Sequence, residues 1–488
     1  MESRDTLFIG GEWVEPQGSE TIEVVSPHTE EVIATVPHAS EADIDTAVAA
    51  ARQAFDAGEW SGMEVAERAD LMAALSAAIG EKAGELAETI TAENGSPITF
   101  SHMGQVFAAQ MVLDWFTGYA RDTFQVEEQR QGILATTLVR HEPVGVVGAI
   151  VPWNVPLFVT MLKLAPAMVA GCTMVLKPAP ETPLDAYMLA ELLEKIGLPK
   201  GVVNLVPAGR EVGEHIVRHP GVDKIAFTGS TAAGKRIASI CGEQLKRVTL
   251  ELGGKSAAVI LDDADLTQTL DGLMPASTMN NGEACVAQTR ILASRERYAE
   301  VVDGLSERVG ALKVGDPMDD ATEVGPLVAE RQRERVEKYL ASGQEDGARI
   351  TVGGGRPAGM DTGWYVEPTV FADVDNSMRI AQEEIFGPVL SVIPYDTVDD
   401  AVAIANDSTY GLSGSVWGQD AEQCLDVARR VRTGHMNVNG FMLEPCAPFG
   451  GFRQSGLGRE LGPEGLAAYL EDKALNLFGD GESFGIGA

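Results

Sequence analysis

Apolar residues recur at helical spacing from Ala42 to Phe55 and again from Glu64 to Asn94, and Asn94-Gly95 supplies a C-terminal stop for the second run. After Pro143 the pattern changes. Val144 to Val151 reads as a buried strand, Leu157 to Ala170 as a helix, and Thr173 to Leu176 as a second strand. Pro183 opens a helix that runs to about Ile196; Val202–Val206 and Asp223–Phe227 then read as strands. Strands alternating with helices of this length predict an α/β fold with a doubly wound parallel sheet. Its ligand crevice should lie at the carboxyl ends of the strands, where Asn154, Lys177 and Gly229 fall. Between Thr123 and His141 polar and apolar residues alternate, as in a strand pair interrupting this first domain.

With 488 residues the chain exceeds one ordinary core, so two or three domains are expected. The apolar stretch around Val144–Val151 is broken by Gly145 and Gly148 and is too short to span a bilayer. The polar, acidic start, Met1-Glu2-Ser3-Arg4-Asp5, lacks the apolar region of a signal peptide, which gives a cytoplasmic expectation. Five cysteines without a CxxC pair fit free thiols in a reducing compartment. Seven histidines show no metal-ligand spacing, so no metal site is expected. A net charge of −35 disfavours nucleic acid or anionic lipid as partner and reads as a strongly solvated surface.

Two segments carry chemistry: Asn281-Gly282-Glu283-Ala284-Cys285 and Leu250-Glu251-Leu252-Gly253-Gly254-Lys255. A thiol beside a glycine and a carboxylate before a Gly-Gly turn suggest nucleophile and base for a thioester reaction. A free thiol, with a pKa of about 8.5, is mostly protonated at neutral pH and needs an activating site. Alone, Cys285 reads more readily as a small buried hydrophobe than as a nucleophile; Glu251 could be a cap or ion-pair carboxylate, and Asn154 a turn residue between Pro152 and Pro156. Gly229-Ser230-Thr231 follows a strand and opens a helix toward Ile240, which aims unpaired N–H groups and a helix dipole where a pyrophosphate would sit.

These segments occur in order with Pro152-Trp153-Asn154-Val155-Pro156, Lys177-Pro178, Phe227-Thr228-Gly229-Ser230-Thr231, Glu383-Glu384-Ile385-Phe386-Gly387-Pro388 and Pro448-Phe449-Gly450-Gly451. Together they resemble the NAD(P)-dependent aldehyde dehydrogenase superfamily, of the hydrolytic, non-acylating type, from Gly10-Gly11-Glu12-Trp13 to the C-terminal tail. The resemblance implies an NAD(P)-binding domain over 1–118 and 144–254, and an α/β catalytic domain over 255–453 with strands near Ser256–Leu261 and Val389–Pro394. Residues 119–143 and 469–488 would form an oligomerisation element, making a homodimer or homotetramer; edge strands this apolar need a partner.

By the same resemblance Cys285 attacks an aldehyde, Asn154 and the Cys285 N–H stabilise the oxyanion, and Glu251 activates the hydrolytic water. Lys177 reaches the adenosine ribose, Glu384 and Phe386 position the nicotinamide ribose and ring, and Trp153, Pro180, Gly213, Gly229, Ser230 and Leu252 complete the cofactor set. Val155, Val159, Leu162, Phe441 and Leu443 would line a substrate channel; they are apolar and bring no arginine to clamp a carboxylate. This implies an uncharged, hydrophobic aldehyde.

Two positions depart from the family pattern. Pro180 stands where NAD-preferring relatives often carry Glu, so NAD is expected with NADP as an alternative, although no arginine stands beside Lys177 in sequence. Glu283 replaces the commoner Gln before the nucleophile. Competing readings are a coenzyme A-acylating dehydrogenase, against which Glu251 speaks, and a catalytically silent nucleotide-binding or structural member.

Overall fold

Two large sheets dominate the described residues, 1–478 of a computed structural model, and the short connection Leu252–Ser256 leads from one to the other. Residues 479–488, part of the expected oligomerisation element, lie outside the described residues. The first sheet has eight strands, in the order Gly456–Leu457, Arg247–Glu251, Lys224–Thr228, Val146–Ile150, Thr173–Lys177, Val203–Leu205, Leu7–Ile9, Glu12–Val14. Its middle five strands are parallel. From Val146–Ile150 the chain winds outward first through Thr173–Lys177 and Val203–Leu205, then crosses back to Lys224–Thr228. The order therefore reverses between Val146–Ile150 and Lys224–Thr228, and a doubly wound sheet opens its binding crevice at such a reversal.

The second sheet runs Arg349–Val352, Thr369–Ala372, Val389–Tyr395, Arg290–Ser294, Ala257–Ile260, Gly414–Trp417, Asn437–Val438, parallel except for its first pair. A three-stranded antiparallel sheet joins Leu470–Leu477, Thr136–Pro143 and Glu127–Gln131. On the turn between its last two strands Ile133 and Leu134 are exposed.

Helix Pro156–Ala170 is buried along its whole length between the first sheet and the helices above it, so it carries apolar residues on every side. Helix Glu41–Asp56 starts at Ser40, whose hydroxyl and Asp43 form a reciprocal capping box. The run from Glu64 to Asn94 is two helices, Val65–Glu81 and Ala83–Asn94, divided at Lys82. The periodic apolar pattern continues across that break, which is why spacing does not reveal it. Gly95, at φ 80°, ends the second helix as its sequence predicts. Beyond it lies a helical stretch that the apolar spacing does not announce: Ser101–Phe107 is π-helical and leads into helix Ala108–Asp122.

Candidate active site

The nucleophile segment enters through three successive left-handed residues, Asn280 (φ 50°), Asn281 (φ 61°) and Gly282 (φ 73°). Asparagine tolerates this region better than other side chains. Position 282 requires glycine for a second reason, since a Cβ there would sit 2.3 Å from the Gly387 carbonyl. Asn281 fastens the segment by donating to the carbonyls of Gly95 and Pro326, both at 2.9 Å, and accepting from Gly325 N–H at 2.6 Å. Cys285 is thereby held half-buried in the wall of a cavity of about 230 Å³, together with Trp153, Asn154, Val155, Val159, Leu252, Gln332, Arg335, Glu384 and Phe386.

Asn154 lies on the loop after strand Val146–Ile150. Its side-chain amide donates to the Glu283 carbonyl at 2.8 Å, two residues from the thiol. Its own main-chain carbonyl accepts from Asn280 (2.9 Å), Gln105 (3.0 Å) and Asn94 (3.1 Å).

Three carboxylates surround Cys285 electrostatically. Burial first, then Glu384, Glu251 and Glu460, raise its thiol pKa, so the resting sulfur is protonated. Glu251 ends strand Arg247–Glu251, is 2% exposed, and neither carboxylate oxygen has a hydrogen-bond partner among the described residues. Burial and the nearby Glu460 push its pKa well above the carboxylate range, opposed by Lys163 and Arg459. Lys163 is itself buried, bonded to Glu460 at 2.6 Å and to the Thr228 hydroxyl at 2.7 Å. Glu384 accepts from Gly254 N–H at 2.9 Å, and burial raises its pKa to about 7. The position of Glu384 depends on Gly253, where a Cβ would lie 2.5 Å from its oxygen.

A second cavity, about 490 Å³, continues from the first and shares Pro152, Trp153, Thr228, Gly229 and Ser230 with it. It runs over the N-terminus of helix Thr231–Gln244, which Ser230 caps by accepting from Ala233 N–H, and between Val217, Ile237 and Ile240. Lys177, Pro180 and Gly213 line its far end. Gly213 leaves room for Lys177, whose Cε would be 3.2 Å from a Cβ there. A slot with apolar sides, a helix N-terminus and a buried lysine suits an adenine dinucleotide. Lys177 donates to the carbonyls of Pro178 (3.0 Å) and Ala208 (2.7 Å), and burial lowers its pKa to about 8. Phe386, held at φ 66°, meets Trp153 edge-on with centroids 5.3 Å apart where the two cavities join.

The expected channel is only partly assembled by these walls. Val155 and Val159 line the Cys285 cavity. Leu162 does not: one turn further along the same helix, it is 2% exposed inside the core. Phe441 and Leu443 do not line that cavity either; both pack half-buried against the first core, as do Phe158, Val155 and Cys285, and Phe441 also lines a separate depression with Trp417. Several lining residues are absent from the sequence reading, among them Gln332, Arg335 and Arg210. Gln332 and Arg335 come from helix Glu330–Glu345, and Arg335 is tied to the carbonyls of Glu384 and Ile385. Arg210 lines the dinucleotide slot with Lys177 although 33 positions away in sequence, and makes no hydrogen bond or ion pair among the described residues. No sequence motif marks these three; only the packing of their helices brings them in. Among the described residues no cluster of three or more His, Cys, Asp or Glu is placed to hold a metal, and no helix is long and apolar enough to cross a membrane.

Residues 13–475 match the aldehyde dehydrogenase family. Geranial dehydrogenase of Castellaniella defragrans is 47% identical over 97% of this chain and 98% of its own. The crystal structure of a Mycobacterium tuberculosis aldehyde dehydrogenase complexed with NAD+ superposes with a TM-score of 0.97 at 49% identity, covering 98% of this chain and 100% of that one. Aldehyde dehydrogenase C of Pseudomonas syringae, solved as a Cys-to-Ala mutant with NAD+ and octanal, gives a TM-score of 0.94 at 43% identity, covering 97% of each chain. The chain belongs to the aldehyde dehydrogenase family.

Proposed function

We propose that the protein oxidises an uncharged, hydrophobic aldehyde to its carboxylic acid, using NAD+ and, less efficiently, NADP+. The observation that carries this reading is the convergence of Cys285, Asn154 and the Glu251 field on one cavity continuous with the dinucleotide slot. The similarity to proteins described as acting on geranial and as binding octanal points the same way.

Cys285 must lose a proton before it can add to the carbonyl, because burial and three carboxylates hold the thiol protonated. Glu251, which has no hydrogen-bond partner among the described residues, is a suitable acceptor once ionised, and its raised pKa makes it a stronger base than an ordinary carboxylate. Addition of the thiolate gives a thiohemiacetal whose oxyanion lies between the Asn154 amide and the Cys285 N–H. The bound nicotinamide supplies the hydride acceptor. Loss of hydride leaves a Cys285 thioester; Glu251 passes its first proton to solvent and, as carboxylate again, takes one from the water that hydrolyses the thioester. Val155, Val159 and Trp153 give the aldehyde an apolar wall, and Arg335 is committed to main-chain carbonyls, so among the described residues lining this cavity no cation is left to hold a substrate carboxylate.

Arg210 and Lys177 line the adenosine end of the slot with Pro180, whose side chain offers no acceptor and no negative charge, and the carboxylates that also line it, Glu181 and Glu214, are paired with Arg331 and Arg236. That arrangement admits a 2′-phosphate without excluding a hydroxyl. The proposed division is a cofactor domain of 1–118 and 144–254, a catalytic domain of 255–453, and a subunit-pairing element of 119–143 with 469–488. The exposed Ile133 and Leu134 on that element support a homodimer or homotetramer, and five free thiols suit the cytoplasm. A panel of aliphatic, terpenoid, aromatic and acidic aldehydes with each cofactor tests the reading. Efficient use of succinic semialdehyde over its neutral analogue, or acyl-coenzyme A as the main product, would overturn it.

A further inference from the structure

We infer that Gln105, Asn94 and Asn280 are positioning residues, three buried side-chain amides that hold the Asn154 carbonyl and so set where the Asn154 side chain meets the oxyanion. The inference rests on the reading of Asn154 as an oxyanion donor. A carbonyl has two lone pairs, yet this one accepts at 2.9, 3.0 and 3.1 Å from three side chains. The donors come from three separate places: the end of helix Ala83–Asn94, the π-helical turn Ser101–Phe107, and the left-handed entry to the nucleophile segment. Turns of π-helix cluster at functional sites, and this one presents Gln105, wholly buried, with its Oε1 left without a partner among the described residues. An orphaned buried oxygen is unfavourable, and stability alone does not call for it.

Asn280 adds the decisive link. Its Nδ2 reaches the Asn154 carbonyl at 2.9 Å and the Glu283 carbonyl at 3.3 Å, and the latter also accepts from Asn154 Nδ2 at 2.8 Å. The bonds close a loop through Asn154, Asn280 and Glu283, which fixes the oxyanion donor relative to a thiol two residues further on. Displacing a catalytic group by about 1 Å can cost about 10²-fold in rate, so the clamp acts on chemistry although none of its members touches the reacting atoms.

A double-mutant cycle on single-turnover formation of reduced cofactor is the test. Gln105→Met keeps size and removes the 3.0 Å bond. It should slow this step about tenfold, within the range of small misplacements, while leaving the dissociation constant for NAD+ and the melting temperature nearly unchanged. In an Asn154→Ala background the same change should add nothing, because the group it positions is gone. Additive losses, or no slowing by Gln105→Met in the otherwise unmodified enzyme, overturn the clamp. An unchanged rate in Asn154→Ala alone overturns instead the oxyanion reading beneath it. If Gln105→Met does not fold, Asn94→Ala removes the 3.1 Å bond and takes its place in the same cycle.

Discussion

At the nucleophile end of the crevice one carbonyl takes three side-chain amides, three successive residues adopt left-handed backbone, and Gly282 and Gly253 sit where no Cβ fits. At the adenosine end Lys177 bonds only to main-chain carbonyls, Pro180 offers no polar group, and Arg210 is unpaired among the described residues. The first end permits one arrangement of atoms; the second tolerates several ligands. On the proposed reading, bond making depends on geometry that a single substitution ruins, whereas cofactor choice depends on a few charges that a substitution can retune.

The largest effect should come from Cys285→Ala. It removes the proposed nucleophile and should abolish turnover, about 10³-fold or more, while NAD+ still binds in equilibrium titration. Appreciable turnover would place the chemistry on another thiol.

Glu251→Gln should follow, slowing steady-state turnover about 10²–10⁴-fold while a rapid burst of reduced cofactor survives in stopped-flow traces. The same variant separates function from stability. The Glu251 pKa is raised in the folded protein, so above the ordinary carboxylate value of about 4.3 the folded state retains a proton that the unfolded chain has released. Stability attributable to this group therefore falls as pH rises through that window. The variant should melt above the parent at alkaline pH, and the gap should close as pH falls toward the ordinary carboxylate range. A variant that melts lower at every pH would mean that Glu251 is a structural carboxylate.

Smaller effects belong to the tolerant end and the channel. Arg210→Ala should lower kcat/KM for NADP+ about tenfold, the scale of one charge-assisted phosphate contact, and leave NAD+ within about twofold. Binding of adenosine 2′,5′-bisphosphate by calorimetry should weaken in parallel. Equal losses with both cofactors would mean that Arg210 serves the shared part of the dinucleotide. Along a series of linear aldehydes, kcat/KM should rise about fourfold per added CH₂, from about 0.8 kcal/mol of burial each, until the apolar wall is covered. A flat series would deny the channel its hydrophobic role.

Legibility in the sequence follows the same division. Strands of the first sheet announce themselves because both faces are buried and their apolar runs are continuous: Val146–Ile150 and Thr173–Lys177 fall within one or two residues of their expected bounds. Helix Pro156–Ala170 is equally plain. The break at Lys82 and the π-turn at Ser101–Phe107 leave no periodic trace, since both keep nearly helical spacing. Family motifs lead to Cys285, Glu251 and Asn154, and the fold brings Cys285 and Asn154 to one cavity with Glu251 close behind. What motifs cannot reveal is contact between distant helices. Arg210, Gln332 and Arg335 reach the crevice only through tertiary packing, and Leu162, apolar and one turn beyond Val159, turns inward instead.

The pairing of Gly456–Leu457 with Arg247–Glu251 also bears on how the protein comes into being during synthesis. Leu252 N–H donates to the Ser455 carbonyl at 2.9 Å, and the Ser455 hydroxyl donates to Gly253 at 2.7 Å. The turn that follows Glu251 is thus braced by residues the ribosome adds about 200 positions later, a delay of about 10–40 s at ordinary elongation rates. Cys285 leaves the ribosome well inside that interval. A nascent chain therefore carries the Cys285 thiol before the turn after Glu251 has gained the Ser455 bonds that brace it.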